Sequence, residues 1–95
     1  MIRNYEMMII INTDLSEEDI DKTIDGVTNL IKENNGKISD IDRWGKRHLA
    51  YPINKKKEAY YYIIYFQIDS EKIIELEKKY KLMENILRYL ILISK

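Results

Sequence analysis

The order of hydrophobic patterns along the chain constrains the fold more than any other feature. Segments that alternate like β-strands and segments with the helical spacing of about 3.6 residues follow one another as β-α-β-β-α-β. With right-handed crossovers, this order favours a ferredoxin-like split βαβ sandwich. We therefore predict a single α+β domain over residues 1–95, in which two helices cover one face of a four-stranded antiparallel sheet.

The two strongest strand segments, residues 3–12 and 60–68, are apolar on both of their faces. Helices that cover one face would leave an apolar surface on the other, formed by Met8, Ile10, Tyr61, Ile63, Tyr65, Leu90 and Leu92. A patch of this size is unusual on a free monomer. We expect this face to dock another macromolecule or to be covered by the N-terminus, by side-chain stems or by a homodimer contact.

Potential capping residues predict where the two helices begin and where the first one ends. Ser16 is a suitable N-cap for a first helix that runs to about Asn34, and Gly36 suits a left-handed residue after its end. Ser70 is expected to cap a second helix that begins with Glu71. A last strand is predicted over residues 86–93.

One segment, Trp44 to Ile53, concentrates unusual residues. It contains the one Trp, the one His and the one Pro of the chain, together with a Gly and two adjacent cations. Gly45 predicts a bulge or the close approach of another backbone, and Pro52 predicts an edge strand because proline cannot donate to a ladder. We expect this segment to form an arm of a long hairpin at the sheet edge, with a turn over residues 54–58. The first and last strands are expected at the centre.

The sequence lacks the residue combinations that most catalytic mechanisms require. The chain has no Cys and one His, which excludes thiolate or His-rich metal sites, and three isolated glycines cannot form a phosphate loop. No candidate nucleophile lies near His48 in the sequence. We therefore predict no enzyme activity, cofactor, metal or small-molecule substrate. No signal peptide and no apolar run of about 20 residues is present, so we expect a cytoplasmic protein without a membrane partner.

The sequence contains features that argue for nucleic-acid binding and others that argue against it. The 16 basic and 16 acidic residues balance, which argues against non-specific polyanion binding but not against a local basic patch. A sheet with aromatic residues on its open face is similar to the RNA-recognition motif, although residues 60–66 lack the basic-Gly-aromatic-Gly opening of its key strand. Candidate phosphate contacts are Arg3, Lys46, Arg47, Lys55, Lys56, Lys57 and Arg88.

The segment Asp42 to Ile53 closely resembles the bacterial small-subunit ribosomal protein number six family, in which Gly-x-Arg-x-Leu-Ala-Tyr-Pro-Ile is the hallmark. The opening Arg3-Asn4-Tyr5-Glu6 and the closing Asn85-Ile86-Leu87-Arg88-Tyr89 also resemble that family. The chain departs from some members at Leu87, where they have a second Arg, and, with the sequence ending at Lys95, we expect no acidic or flexible tail of the kind that many relatives carry.

The resemblance implies a structural protein of the small ribosomal subunit. It implies binding to the central domain of small-subunit ribosomal RNA together with a basic partner, small-subunit ribosomal protein number eighteen. By position it implies RNA contacts by Arg3, Tyr5 and Arg88, to which we add Lys46 and Arg47 from their charge and location. We expect the partner to contact Trp44, Tyr51, Tyr61, Ile63 and Tyr65. The alternative is a regulatory or interaction module that self-associates through its open sheet face.

Overall fold

The strands and helices follow one another in the predicted order. The computed structural model describes residues 1–53 and 55–94, and its elements are β1 (Ile2–Asn12), α1 (Glu17–Glu33), β2 (Lys37–Ile53), β3 (Lys56–Asp69), α2 (Ile73–Tyr80) and β4 (Ile86–Ile93). The strands form one antiparallel sheet in the order β2-β3-β1-β4. Both helices pack on the same face of this sheet, which confirms the ferredoxin-like prediction.

The position of β4 corrects one expectation. We predicted the first and last strands at the centre, but the central pair is β1 and β3, and β4 lies at the edge beside β1. Each βαβ unit skips one strand: β3 lies between β1 and β2, and β1 lies between β3 and β4. At this edge Leu90 and Leu92, which were predicted on the open face, are each about half exposed. The arm at Trp44 to Ile53 is on the opposite edge, as predicted.

The core lies between the helices and the sheet. Alternate residues of β1 and β3 point toward the helices and are buried: Tyr5, Met7, Ile9, Ile11, Tyr62, Ile64, Phe66 and Ile68. Ile20, Ile24, Val27 and Ile31 pack on them from α1, where they recur at helical spacing and form one apolar stripe. From α2, Leu76 and Tyr80 complete the core, whereas the neighbouring Ile74 is exposed.

The helix ends differ from prediction in two details. Ser16 caps α1 as expected, because its Oγ accepts a hydrogen bond from the Asp19 N–H at 3.2 Å. The left-handed residue after α1 is Asn35, with φ 66°, rather than Gly36. Gly36 is required for space, since a Cβ there would lie 2.5 Å from Ile31 Cγ2.

The second detail is the cap before α2. A 3-10 turn over Ser70–Lys72 precedes α2, and Asp69 rather than Ser70 caps it by accepting a hydrogen bond from the Glu71 N–H at 3.0 Å. That bond lowers the pKa of Asp69. The turn of the arm is also shorter than predicted, since β3 begins at Lys56; Asn54 lies outside the described residues.

Tyr80 joins the two helices. Its buried hydroxyl donates a hydrogen bond of 2.9 Å to the backbone oxygen of Val27 in α1. Its ring meets the Tyr89 ring of β4 edge-on, with the ring centroids 6.0 Å apart. Burial raises the pKa of the Tyr80 hydroxyl well above its ordinary value. The folded state therefore favours the neutral form of this side chain.

We predict that Tyr80→Phe lowers the free energy of unfolding by about 1 kcal/mol at neutral pH, because a buried hydrogen bond is lost. The raised pKa of Tyr80 means that its stabilising contribution is complete below the unfolded pKa of about 10 and is lost as pH rises through the folded pKa. The deficit of the variant should therefore shrink above about pH 10. Urea unfolding at a series of pH values measures both effects.

Tyr89→Phe is the matched control, since no hydrogen bond from the Tyr89 hydroxyl occurs within residues 1–53 and 55–94. It should leave the stability at neutral pH nearly unchanged. Equal losses in the two variants would contradict the role assigned to the Tyr80 hydroxyl.

Candidate functional site

The face of the sheet that the helices leave open has an apolar centre. Met8 pairs with Ile63 of β3 on one side and with Leu90 of β4 on the other, so these three side chains form one row across the sheet. The adjacent rows add Ile10, Tyr61, Tyr65 and Leu92. All seven residues of the predicted apolar patch therefore lie on the open face, although Ile10 and Ile63 are buried there. Its most exposed part lies on β4, where Leu90 is 52% exposed.

Charged residues lie at both ends of this face, with opposite signs. At one end, Glu6 and Asp40 flank Tyr65, each paired directly with it across the sheet. At the other end, Arg88 pairs with Ile10, and Arg47 pairs with Ala59. The open face therefore has an acidic end and a basic end, and the exposed Asp42 lies beside its apolar centre, paired with Ile63.

Two of the five predicted RNA contacts share this basic end. Arg47 on β2 and Arg88 on β4 are both exposed, and three strand spacings separate their strands, about 14 Å. Neither forms an ion pair within the described part of the chain. Their guanidinium groups are therefore available to a charged partner on the open side.

The other three predicted RNA contacts lie elsewhere. Lys46 lies on the helix side of the arm, with its Nζ 5.9 Å from the centre of the Tyr60 ring. Arg3 is exposed at the far end of β1, seven residues from Ile10 and hence about 24 Å away. Tyr5 is 6% exposed, and its ring stacks on Phe66 with the centroids 5.6 Å apart. One flat RNA surface cannot reach all five residues, and the RNA contact of each stays a prediction.

The tip of the arm adjoins the basic end of the open face. His48 pairs with Glu58 and Ile53 with Lys56, so the intervening residues of β2 bulge out against a single residue of β3. These residues and the sheet enclose a hollow of about 170 Å³, lined by Ile10, Leu49, Ala50, Tyr51, Ile53, Tyr61 and Arg88. The arrangement adds the exposed Tyr51 to the same surface as Tyr61, Ile63 and Tyr65.

Trp44 belongs to a different surface. The β2–β3 register shifts between Arg43 and Gly45, and Gly45 adopts φ 80°, which confirms the predicted bulge. The Trp44 indole N–H donates a hydrogen bond of 3.0 Å to Asp42, while its ring lines a hollow beside α1. Of the five predicted partner contacts, the structure therefore brings four together on the open side and separates Trp44 from them.

Two ion pairs that were not predicted from the sequence join the β2–β3 hairpin to α1 and to the turn before it. Arg43 lies 3.7 Å from the Asp21 carboxylate and 6.0 Å from the centre of the Tyr62 ring, and Lys56 pairs with Asp14. Burial raises the pKa of Tyr62, Arg43 opposes the rise, and Asp21 adds to it. The signal in the sequence was the contrast between the acidic residues at and before the start of α1 and the cations of the β2–β3 hairpin.

Among residues 1–53 and 55–94, no group of three or more His, Cys, Asp or Glu side chains could hold a metal ion. Within the same residues, no helix is both long and apolar enough to cross a membrane.

Comparisons with known proteins show which family this chain is similar to. A family profile described as ribosomal protein S6 matches residues 4–92. The small ribosomal subunit protein bS6 of Thermoanaerobacter pseudethanolicus is 50% identical over 91 residues, which is 96% of each chain. That of Caldanaerobacter subterraneus subsp. tengcongensis is 44% identical, also over 96% of each chain.

A solved structure extends the similarity to the backbone. The crystal structure of 30S ribosomal protein S6 from Thermotoga maritima superposes with a TM-score of 0.94 at 35% sequence identity, covering 99% of this chain and 89% of that one. Proteins of this family are structural components of the ribosome and not enzymes, in agreement with the prediction from the sequence. With the profile matched over nearly the whole chain and relatives at such identity, the chain belongs to the ribosomal protein S6 family of the small ribosomal subunit.

Proposed function

We propose that this chain binds the central domain of small-subunit ribosomal RNA together with small-subunit ribosomal protein number eighteen. One observation carries the proposal: the open sheet face combines an apolar surface, exposed at Leu90 and Leu92, with two arginines that form no ion pair within the described residues. The mechanism is stoichiometric. The apolar centre takes the protein partner, and the basic end takes phosphate.

The apolar centre suits a protein rather than RNA. Removing exposed leucine and tyrosine side chains from water favours association by about 25 cal/mol per Å² of apolar area, before the costs of association. Tyr61, Ile63 and Tyr65 lie in this region, and Tyr51 extends it along the arm. We assign these four residues to the partner. The acidic end of the face, at Glu6 and Asp40, is complementary to a basic partner.

The basic end suits phosphate. With a net charge of +0 the whole chain gives little long-range attraction to RNA, so binding depends on local contacts. Arg47 and Arg88 are the foremost candidates because their side chains are exposed on the open side. Arg3, Tyr5 and Lys46 are further candidates, in positions that require RNA to pass around the sheet edges. A basic partner would supply the remaining positive charge.

The alternative proposal is self-association through the open face. The same exposed leucines on β4 favour it, since a second copy would cover them equally well. In that case the arginines at the basic end would meet the acidic end of the other copy. The two proposals differ in whether the free protein is a monomer and in whether RNA is bound.

We predict that the isolated protein binds a central-domain RNA fragment weakly and that adding the partner tightens binding by about 100-fold, because the two proteins bind as one unit. Filter-binding titrations with and without the partner measure the two affinities. Equal affinities in the two titrations would contradict the proposal.

We predict that Arg47→Ala and Arg88→Ala each weaken RNA binding by the two-protein complex. Each should reduce the slope of log K against log salt by about 0.7 to 0.9, the value of one lost phosphate contact. Titrations at several salt concentrations give this slope. Lys22→Ala is the matched control, since Lys22 is an exposed cation on α1. A loss of slope in Lys22→Ala as large as in the arginine variants would argue against these contacts.

We predict that Leu90→Ser weakens binding of the partner by about tenfold without unfolding the protein, because Leu90 is already half exposed. Isothermal titration with the partner measures the change. Ile74→Ser is the control, since Ile74 is 63% exposed on the helix layer and should not affect binding.

Analytical sedimentation of the free protein and of its Leu90→Ser variant separates the two proposals. The proposed function predicts a monomer for the natural sequence. A dimer that Leu90→Ser dissociates would instead support self-association through the open face.

A further inference from the structure

We propose that the hollow beside Trp44 binds an arginine or lysine side chain presented by another protein. This hollow lies on the helix side of the sheet, between the start of α1 and β2, and has a volume of about 370 Å³. Its walls are formed by Glu17, Ile20, Asp21, Arg43, Trp44, Gly45, Tyr60 and Tyr62. The site does not overlap the open face, so the inference is independent of the proposed RNA binding.

The residues that line the hollow are those that stabilise a cation. Trp44, Tyr60 and Tyr62 offer aromatic rings, whose faces attract ammonium and guanidinium groups. Glu17 and Asp21 are four residues apart on α1 and therefore present their carboxylates on the same side of the helix. Aromatic faces combined with carboxylates are complementary to a basic side chain.

The chain itself places a guanidinium in one part of this hollow. The Arg43 Cζ lies 6.0 Å from the centre of the Tyr62 ring, and Arg43 Nη1 lies 3.7 Å from Asp21 Oδ1. An aromatic ring and a carboxylate of the hollow thus already hold a basic group between them. Glu17 and Trp44 supply a second carboxylate and a second aromatic ring in the lining of the same hollow.

The remaining part of the hollow has room for a second cation. Glu17 forms no ion pair within residues 1–53 and 55–94, and Trp44 is 44% exposed. Gly45 leaves open space beside them, since a Cβ at this position would meet no atom within 4 Å. A glycine in a strand often marks a place where another backbone approaches closely. The side chain of an incoming segment would enter over Gly45.

The charge around the hollow selects a basic protein segment over RNA. The start of α1 carries Glu17, Glu18, Asp19 and Asp21 against Lys22. This negative charge would repel a phosphate backbone at short range. Lys46, the other cation near Tyr60, is 3.9 Å from the Glu58 carboxylate, which balances its charge.

The test uses the Trp44 indole N–H, which gives one signal in an ¹⁵N–¹H correlation spectrum because the chain has one Trp. The full-length protein is titrated with the peptide acetyl-Ala-Ala-Arg-Ala-Ala-amide and with the same peptide carrying Gln in place of Arg. We expect the arginine peptide to shift the signals of the Trp44 indole and the Gly45 amide until they saturate. The glutamine peptide should bind with at most about one fifth of that affinity.

Two variants assign the effect to the hollow. Glu17→Gln should weaken binding of the arginine peptide by about fivefold, whereas Glu18→Gln, which removes a carboxylate outside the hollow, should leave the affinity unchanged. Circular dichroism checks that both variants keep the fold. Equal binding of the two peptides, equal affinities of the two variants, or a stronger shift with a short oligouridylate than with the arginine peptide would each overturn the proposal.

Discussion

The pairing of β1 between β3 and β4 is the constraint on which the rest of the structure depends. β1 is in register with β3 from Ile2 opposite Asp69 to Asn12 opposite Ala59, and its other edge pairs with β4. Because side chains alternate along a strand, this one element supplies the core on its helix side and the apolar centre of the open face on its other side. A shift of one residue would exchange the two sets, so the core and the open face are specified together.

Charge is divided between the two sides of the β2–β3 hairpin. On the helix side, Arg43, Lys46 and Lys56 are balanced by carboxylates of α1, of β3 and of the turn before α1. On the open side, Arg47 forms no ion pair within the described residues. The neutral total charge therefore includes a local separation of charge, which is why the composition argued against non-specific polyanion binding while the open face still has a basic end.

The sequence predicted the fold closely because its signals were local. Period-two alternation, the Ser16 cap and the bulge at Gly45 each depend on a few neighbouring residues, and each is confirmed. The edge position of β4 was mispredicted because it depends on which strands the crossovers skip, while its apolar sequence resembles that of a central strand. Local patterns carry no information about that choice.

The candidate site was less predictable than the fold. Alternation along β1 and β3 was enough to predict the open face, but the bulge between Arg43 and Gly45 changes which side the next residues face. For this reason Trp44 was grouped with Tyr61 and Tyr65, although it lines the hollow beside α1. The pairing of Arg43 with Asp21 joins residues far apart in the chain, and only the folded structure brings them together.

The central claim is that the open face is buried when the protein assembles with its partner and RNA. Hydroxyl-radical labelling read by mass spectrometry measures this directly, on the free protein and on the three-component complex. The account predicts that labelling of Met8, Leu90 and Leu92 falls in the complex, while labelling of the exposed Ile74 and Leu82 on the opposite side is unchanged. Unchanged labelling of the open face, with protection of Ile74 and Leu82 instead, would contradict it.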